Sequence, residues 1–203
     1  MMAFDERAQE LVTAGMQLYQ WGMVPATSGN FSARINHEEI AITVSGRHKG
    51  KLEIDDIMRI NLQGESLDGK KSSAETGLHT QIYRRFNAIH AVLHVHSISS
   101  ILLSREVGNE LMISDHELLK AFPGINTHDT SVTIPVFDNE QDIASLARKV
   151  DSQMDGDNHF PAYLIRGHGL YSWGETVSDV MNYIEALDFL FQCEWAERVR
   201  ANL

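Results

Sequence analysis

Two histidines, His94 and His96, stand one residue apart in the otherwise apolar run Ala91-Val92-Leu93-His94-Val95-His96-Ser97-Ile98. Read as a β-strand, the run sends successive side chains to opposite faces and puts residues i and i+2 on one face, about 6.6 Å apart along the strand. Imidazoles so placed can converge on a single ion. A third is offered by "RGHGLYSWG", where His168 sits between Gly167 and Gly169 just after the apolar Tyr163-Leu164-Ile165. Flanking glycines permit tight backbone geometry and close approach of another group. Three protein ligands leave one position of a zinc ion open, which is the catalytic rather than the structural arrangement. A lone histidine in an apolar strand is more often a satisfied core residue, so spacing by itself leaves metal ligation and core packing both open. His37, His48, His79, His90, His116, His128 and His159 have no comparable context and are expected at the surface or in the core.

Three further stretches suit an anion. "PATSGNFSARI" places small hydroxyl residues beside a glycine, a pattern that exposes several backbone N–H groups. "VSGRHKGK" repeats it with the cations Arg47, Lys49 and Lys51. "KSSAE" puts Ser72 and Ser73 just before a helical pattern, whose N-terminus favours negative charge. Together they suggest a phosphorylated ligand. Singly, each reads equally as an ordinary turn, and Ser73 as a helix N-cap.

The elements that must position these residues follow from periodicity. Phe4 to Trp21 reads as an amphipathic helix, with Leu11, Val12, Gly15, Leu18 and Tyr19 on one face. "FSARI" and "EIAITVS" read as strands joined by "NHEE", and "EIDDIMRINLQGESLDGKK" as a short helical start, a strand and a turn. Helices are expected over "SAETGLHTQIYRRF", "SISSILLSREV", "SDHELLKAF", "NEQDIASLARKVDSQM" and Ser178 to Asn202. Strands are expected over "AIHAVLHVHS" and "TSVTIPVFD", and "PAYLIRGHGLYSWG" reads as strand, glycine-bracketed turn and strand. The fold class is α/β, a mostly antiparallel sheet with helices packed around it.

Length and composition agree. The 203 residues suit one domain, 1–203, with a core of its own. A formal net charge of −11 argues against general affinity for nucleic acid or an anionic membrane. The single cysteine, Cys193, excludes an intramolecular disulfide and a cysteine-rich metal site, and fits a reducing cytoplasm. No apolar run approaches a membrane span, and Met1 to Gln20 carries Asp5, Glu6 and Glu10 rather than a signal-peptide pattern.

In this order, "SGNFSAR", "SGR", "SSAET", "HVHS" and "RGHGLYSWG" resemble the class II aldolase/adducin-like family, from about Ala8 to Ala201. The resemblance implies a three-layer α/β/α domain with a central, mainly antiparallel sheet. It implies a homotetramer, with cyclic fourfold symmetry and active sites at subunit borders. It implies one Zn2+ per subunit on His94, His96 and His168, and a substrate phosphate held by Ser28, Gly29, Asn30, Ser45, Gly46 and Ser73. Glu75 falls where the aldolases place a catalytic glutamate. Glu117, in "SDHELLKAF", falls where a dehydrating branch places its acid/base residue. That branch acts on 5-methylthioribulose 1-phosphate in methionine salvage, and "SAETGLHTQIY", "HELLKAF" and "IPVFDNEQDIASLA" are most similar to it. Its methylthio group needs an apolar pocket, for which Phe122, Met112 and Trp173 are candidates. Ala74 departs from the aldolase pattern "PSSE", so one phosphate contact is expected to be missing or replaced. An aldolase or 4-epimerase acting on another ketose phosphate is the alternative. A non-enzymatic scaffold of the adducin kind is disfavoured, because a scaffold has no need of an open metal site.

Overall fold

Strand β4 (Ala91–Val95) is buried along its whole length and lies near the middle of the sheet. The computed structural model describes residues 2–154 and 160–201. His159, and Asn202 at the expected end of the C-terminal helix, lie outside the described residues. Before β4 come α1 (Met2–Gln20), β1 (Asn30–Arg34), β2 (Glu39–Thr43), β3 (Ile57–Asn61) and α2 (Thr76–Arg85). After it come α3 (Ile98–Glu106), β5 (Glu110–Ser114), β6 (Ser131–Phe137), α4 (Ile143–Gln153), β7 (Ala162–Ile165), β8 (Gly169–Gly174) and α5 (Val177–Ala201). The strands form one sheet in the order β3-β2-β1-β4-β8-β7-β6-β5. Every neighbouring pair is antiparallel except β6 and β7.

Strand periodicity divides the core into two layers. Ala91, Leu93 and Val95 of β4 pack with Phe31 and Ala33 of β1 and with residues of α1 and α5. Val92 points the other way, toward Leu78, Ile82 and Tyr83 of α2 and Leu146 and Val150 of α4. His94 has the parity of Val92 and so belongs to the α2–α4 side of the sheet. In α1, Leu11 and Leu18 are fully buried, each contributing about 1.5–3 kcal/mol. This burial, more than intrinsic propensity, holds a helix of this length in place.

Two expectations need correction, and one strand is unanticipated. Residues 110–114 form strand β5, which periodicity alone does not announce; Leu111 and Ile113 turn inward while Met112 stays exposed. "SDHELLKAF" is not an α-helix but a five-residue 3-10 turn over Glu117–Ala121. Pro123 follows Phe122, and a residue before proline is driven to the extended backbone that Phe122 adopts. Ser73 does not cap α2; the residue before the helix is Glu75, and Ser73 Oγ instead accepts from the Glu75 N–H at 3.2 Å. Among the described residues, no helix is long and apolar enough to cross a membrane.

Candidate active site

β4 delivers His94, His96 follows at its end, and the turn between β7 and β8 delivers His168. Antiparallel pairing of β4 with β8 sets His94 opposite Tyr171 and Val95 opposite Leu170, which brings the turn to the two histidines. That approach depends on Gly169. A Cβ there would run into the Val95 carbonyl and stand 3.1 Å from both the His94 and His96 rings. On the other side, Gly29 adopts a φ of +76°, and a Cβ would meet the His94 carbonyl at 2.6 Å.

The three imidazoles converge. His94 Nε2 lies 2.9 Å from His96 Nε2 and 3.3 Å from His168 Nε2. A tetrahedral ion with bonds of 2.0–2.1 Å would separate its ligand nitrogens by about 3.3 Å. His94 Nδ1 donates to the Leu170 carbonyl at 3.0 Å, which leaves Nε2 as a lone-pair donor. Burial holds His94 well below the usual histidine range, reinforced by His96 and His168. Burial also pushes His96 down to about 4, with further lowering from the charges of His168 and Lys49. Imidazoles whose ring nitrogens converge in this way fit a divalent cation, and these three could hold one.

Glu75, in the turn before α2, joins this group. Its Oε2 accepts from Asn30 Nδ2 at 2.8 Å and from the Tyr171 hydroxyl at 3.0 Å. Oε2 stands 3.6 Å from His94 Nε2, and Oε1 stands 3.4 Å from His168 Nε2. The Tyr171 ring stacks on His94 with centroids 4.1 Å apart and planes at 13°. Burial, then the adjacent Glu75 charge, raises the Tyr171 hydroxyl well above its ordinary value, so it stays a proton donor to the carboxylate.

Two clefts meet at the triad, and Glu75, His96 and His168 line both. The first, about 320 Å³, is lined by all six residues expected to hold a phosphate: Ser28, Gly29, Asn30, Ser45, Gly46 and Ser73. Ser28 Oγ is buried there without a hydrogen-bond partner. Lys49 is buried below the same cleft, and its Nζ donates to the Thr27 carbonyl at 2.9 Å and the Arg47 carbonyl at 2.7 Å. One ammonium thus ties the two glycine loops together, and burial lowers it to about 8. The second cleft, about 340 Å³, has an apolar side of Ala74, Ile101 and Ile143 and a polar rim of Asn139, Glu140 and Gln141. Ala74 lines this cleft and not the first.

Other expected residues lie elsewhere. Glu117 lines neither cleft. Its side chain is 73% exposed and pairs with Lys120 at 2.6 Å and His128 at 3.5 Å, and the Lys120 hydrogen bond lowers its carboxyl. Phe122 and Trp173 are core residues, and Met112 is an exposed side chain on β5, so none of the three reaches the clefts. His79, expected at the surface or in the core, is fully buried on α2. Sequence reasoning misses Tyr171, which bonds Glu75 beside the triad, and Ile143, which lines the second cleft. Tyr171 could be found only from the β4–β8 register, and Ile143 looks like any apolar residue of an amphipathic helix.

Residues 9–195 match the family model described as the class II aldolase and adducin N-terminal domain, and the chain belongs to that family. It is 53% identical over 191 residues to the methylthioribulose-1-phosphate dehydratase of Methylococcus capsulatus, covering 94% of each chain. It is 50% identical over 192 residues to the enzyme of the same name from Pseudomonas aeruginosa, again covering 94% of each. Among solved structures, L-fuculose-1-phosphate aldolase from Thermus thermophilus has the same fold. The TM-score is 0.79 at 24% identity, over 98% of this chain and 99% of that one.

Proposed function

We propose that this chain dehydrates 5-methylthioribulose 1-phosphate to 2,3-diketo-5-methylthiopentyl 1-phosphate in methionine salvage, with one Zn2+ per subunit on His94, His96 and His168. The observation that carries the reading is the meeting of two unlike clefts at the triad, one built for an anion and one with an apolar side. Identity of about half with two dehydratases named for this substrate supports the choice of reaction.

The phosphate lies among Ser28, Gly29, Asn30, Ser45, Gly46 and Ser73, with Lys49 supplying positive charge below. C2 and C3 then fall at the triad, and the methylthio end enters the second cleft against Ala74, Ile101 and Ile143. A zinc ion there supplies Lewis-acid stabilisation of negative charge on the substrate's oxygens. A carboxylate takes the C3 proton, and an acid protonates the C4 hydroxyl as its C–O bond breaks and water leaves. The resulting C3–C4 enol ketonises to the 2,3-diketone. Glu117 is the main acid/base residue and Glu75 shapes the site around the reacting carbons. Glu117 does not line the clefts of its own chain, so this role has it enter from a neighbouring copy, in keeping with a homotetramer whose sites lie at subunit borders. The enzyme works in the cytoplasm.

Proton NMR of the zinc-loaded protein with 5-methylthioribulose 1-phosphate tests the proposal. The expected product keeps five carbons and the phosphate and has lost water. Dihydroxyacetone phosphate with a methylthio aldehyde would make the protein an aldolase instead.

A further inference from the structure

Behind Glu75, on the α2 side of the sheet, a chain of buried polar groups runs from Asn30 through His79 and Ser32 to Tyr83, and the mechanism above uses only the first of them. Asn30, Ser32 and His79 are almost or wholly inaccessible, as is Tyr83. His79 Nε2 meets Asn30 Oδ1, His79 Nδ1 meets Ser32 Oγ at 2.7 Å, and Ser32 Oγ meets the Tyr83 hydroxyl at 2.9 Å. Donors and acceptors can be assigned through the whole chain. Glu75 only accepts, so Asn30 must turn its amide nitrogen toward it, at 2.8 Å. Asn30 Oδ1 then faces His79, which must carry its proton on Nε2. Nδ1 is left as an acceptor for the Ser32 hydroxyl, and Ser32 in turn accepts from Tyr83. The reverse amide orientation would set Asn30 Oδ1 against the Glu75 carboxylate and a second N–H donor against the His79 N–H.

We infer that His79 is a positioning residue: held in the Nε2–H tautomer by Ser32, it locks the amide of Asn30 so that Nδ2 is aimed at Glu75 beside the metal triad. An amide does not pass protons along such a chain, so its role is orientation and not proton transfer. The buried ring is neutral, its proton affinity pushed down to about 3 by burial, which keeps Nδ1 available to Ser32. Tyr171 supplies the other hydrogen bond to the same Glu75 oxygen and packs edge-on against His79, so the carboxylate is held from two sides. The inference rests on the proposed function only in taking Glu75 as part of the working site.

A double-mutant cycle reads it. His79→Leu alone is expected to lower kcat/KM about 10- to 100-fold, the effect of losing a buried hydrogen-bonded partner. In the Asn30→Ala background the same change should cost less than about threefold, because the group it acts through is gone. Losses that multiply independently would overturn the inference. If His79→Leu does not fold, Ser32→Ala serves in its place, with a loss of about three- to tenfold that disappears in Asn30→Ala. A readout free of turnover is the nitrogen NMR of 15N-histidine-labelled, metal-free protein. His79 should show a protonated Nε2 and an unprotonated Nδ1. An Nδ1–H tautomer in the unsubstituted protein would overturn the assignment even if the enzyme dehydrates the expected substrate. Failure of the unsubstituted protein to turn over would overturn the proposed function and leave the tautomer result standing.

Discussion

Acid should destabilise this protein through the buried ring of His79. The side chain is fully buried, and burial lowers its pKa to about 3. In the unfolded chain it returns to about 6.5. Between those values the unfolded state binds the extra proton, so stability rises with pH across the window and is lost as pH falls through 6.5. From pH 7 to pH 5 the linkage amounts to about 2 kcal/mol for this one group. No discount for solvent screening applies to a ring with no exposed surface. His94 and His96 also have lowered values and add to the same trend. Comparison with His79→Gln, at fixed protein concentration and with metal removed, isolates His79. Urea unfolding at pH 7, 6 and 5 should show the unsubstituted protein losing about 2 kcal/mol more than the variant between the extremes. Equal losses in the two proteins would refute the claim that a neutral buried imidazole carries this part of the acid sensitivity.

Other perturbations address the site directly. Gly169→Ala should cut bound metal well below one per chain, because the added Cβ displaces β8 from Val95 and the His94 and His96 rings; full metal content by elemental analysis would contradict the close-approach reading. His96→Ala should lose both metal and activity, while Glu117→Gln should keep metal and lose turnover. Co-expressed as hybrids, the two should recover about a quarter of the activity if Glu117 acts across a subunit border, and none if it acts within its own chain. Ile143→Ala should raise KM for the methylthio substrate about tenfold with little change in inhibition by inorganic phosphate, since one cleft changes and the other does not. Equal effects on both would place the methylthio group elsewhere.

The sequence alone singled out many of the residues that the fold brings together here, and for a local reason. His94 and His96 share a strand face by parity, and the glycines around His168 announce a tight turn. The serine–glycine loops declare themselves by composition. Each of these signals resides within a few residues, and all nine residues assigned to metal and phosphate line the clefts or the triad itself. Only the tertiary structure decided what lies across the sheet. The opposition of Tyr171 to His94 needs the β4–β8 register. The pairing of His79 with Asn30, 49 positions apart, needs α2 laid over β1. Ile143 reaches the second cleft only because α4 packs on the same face as α2. Strand parity is written in adjacent residues, whereas register and the seating of a helix are settled by summed packing over the whole core, where a buried histidine in an amphipathic helix looks like any other core position.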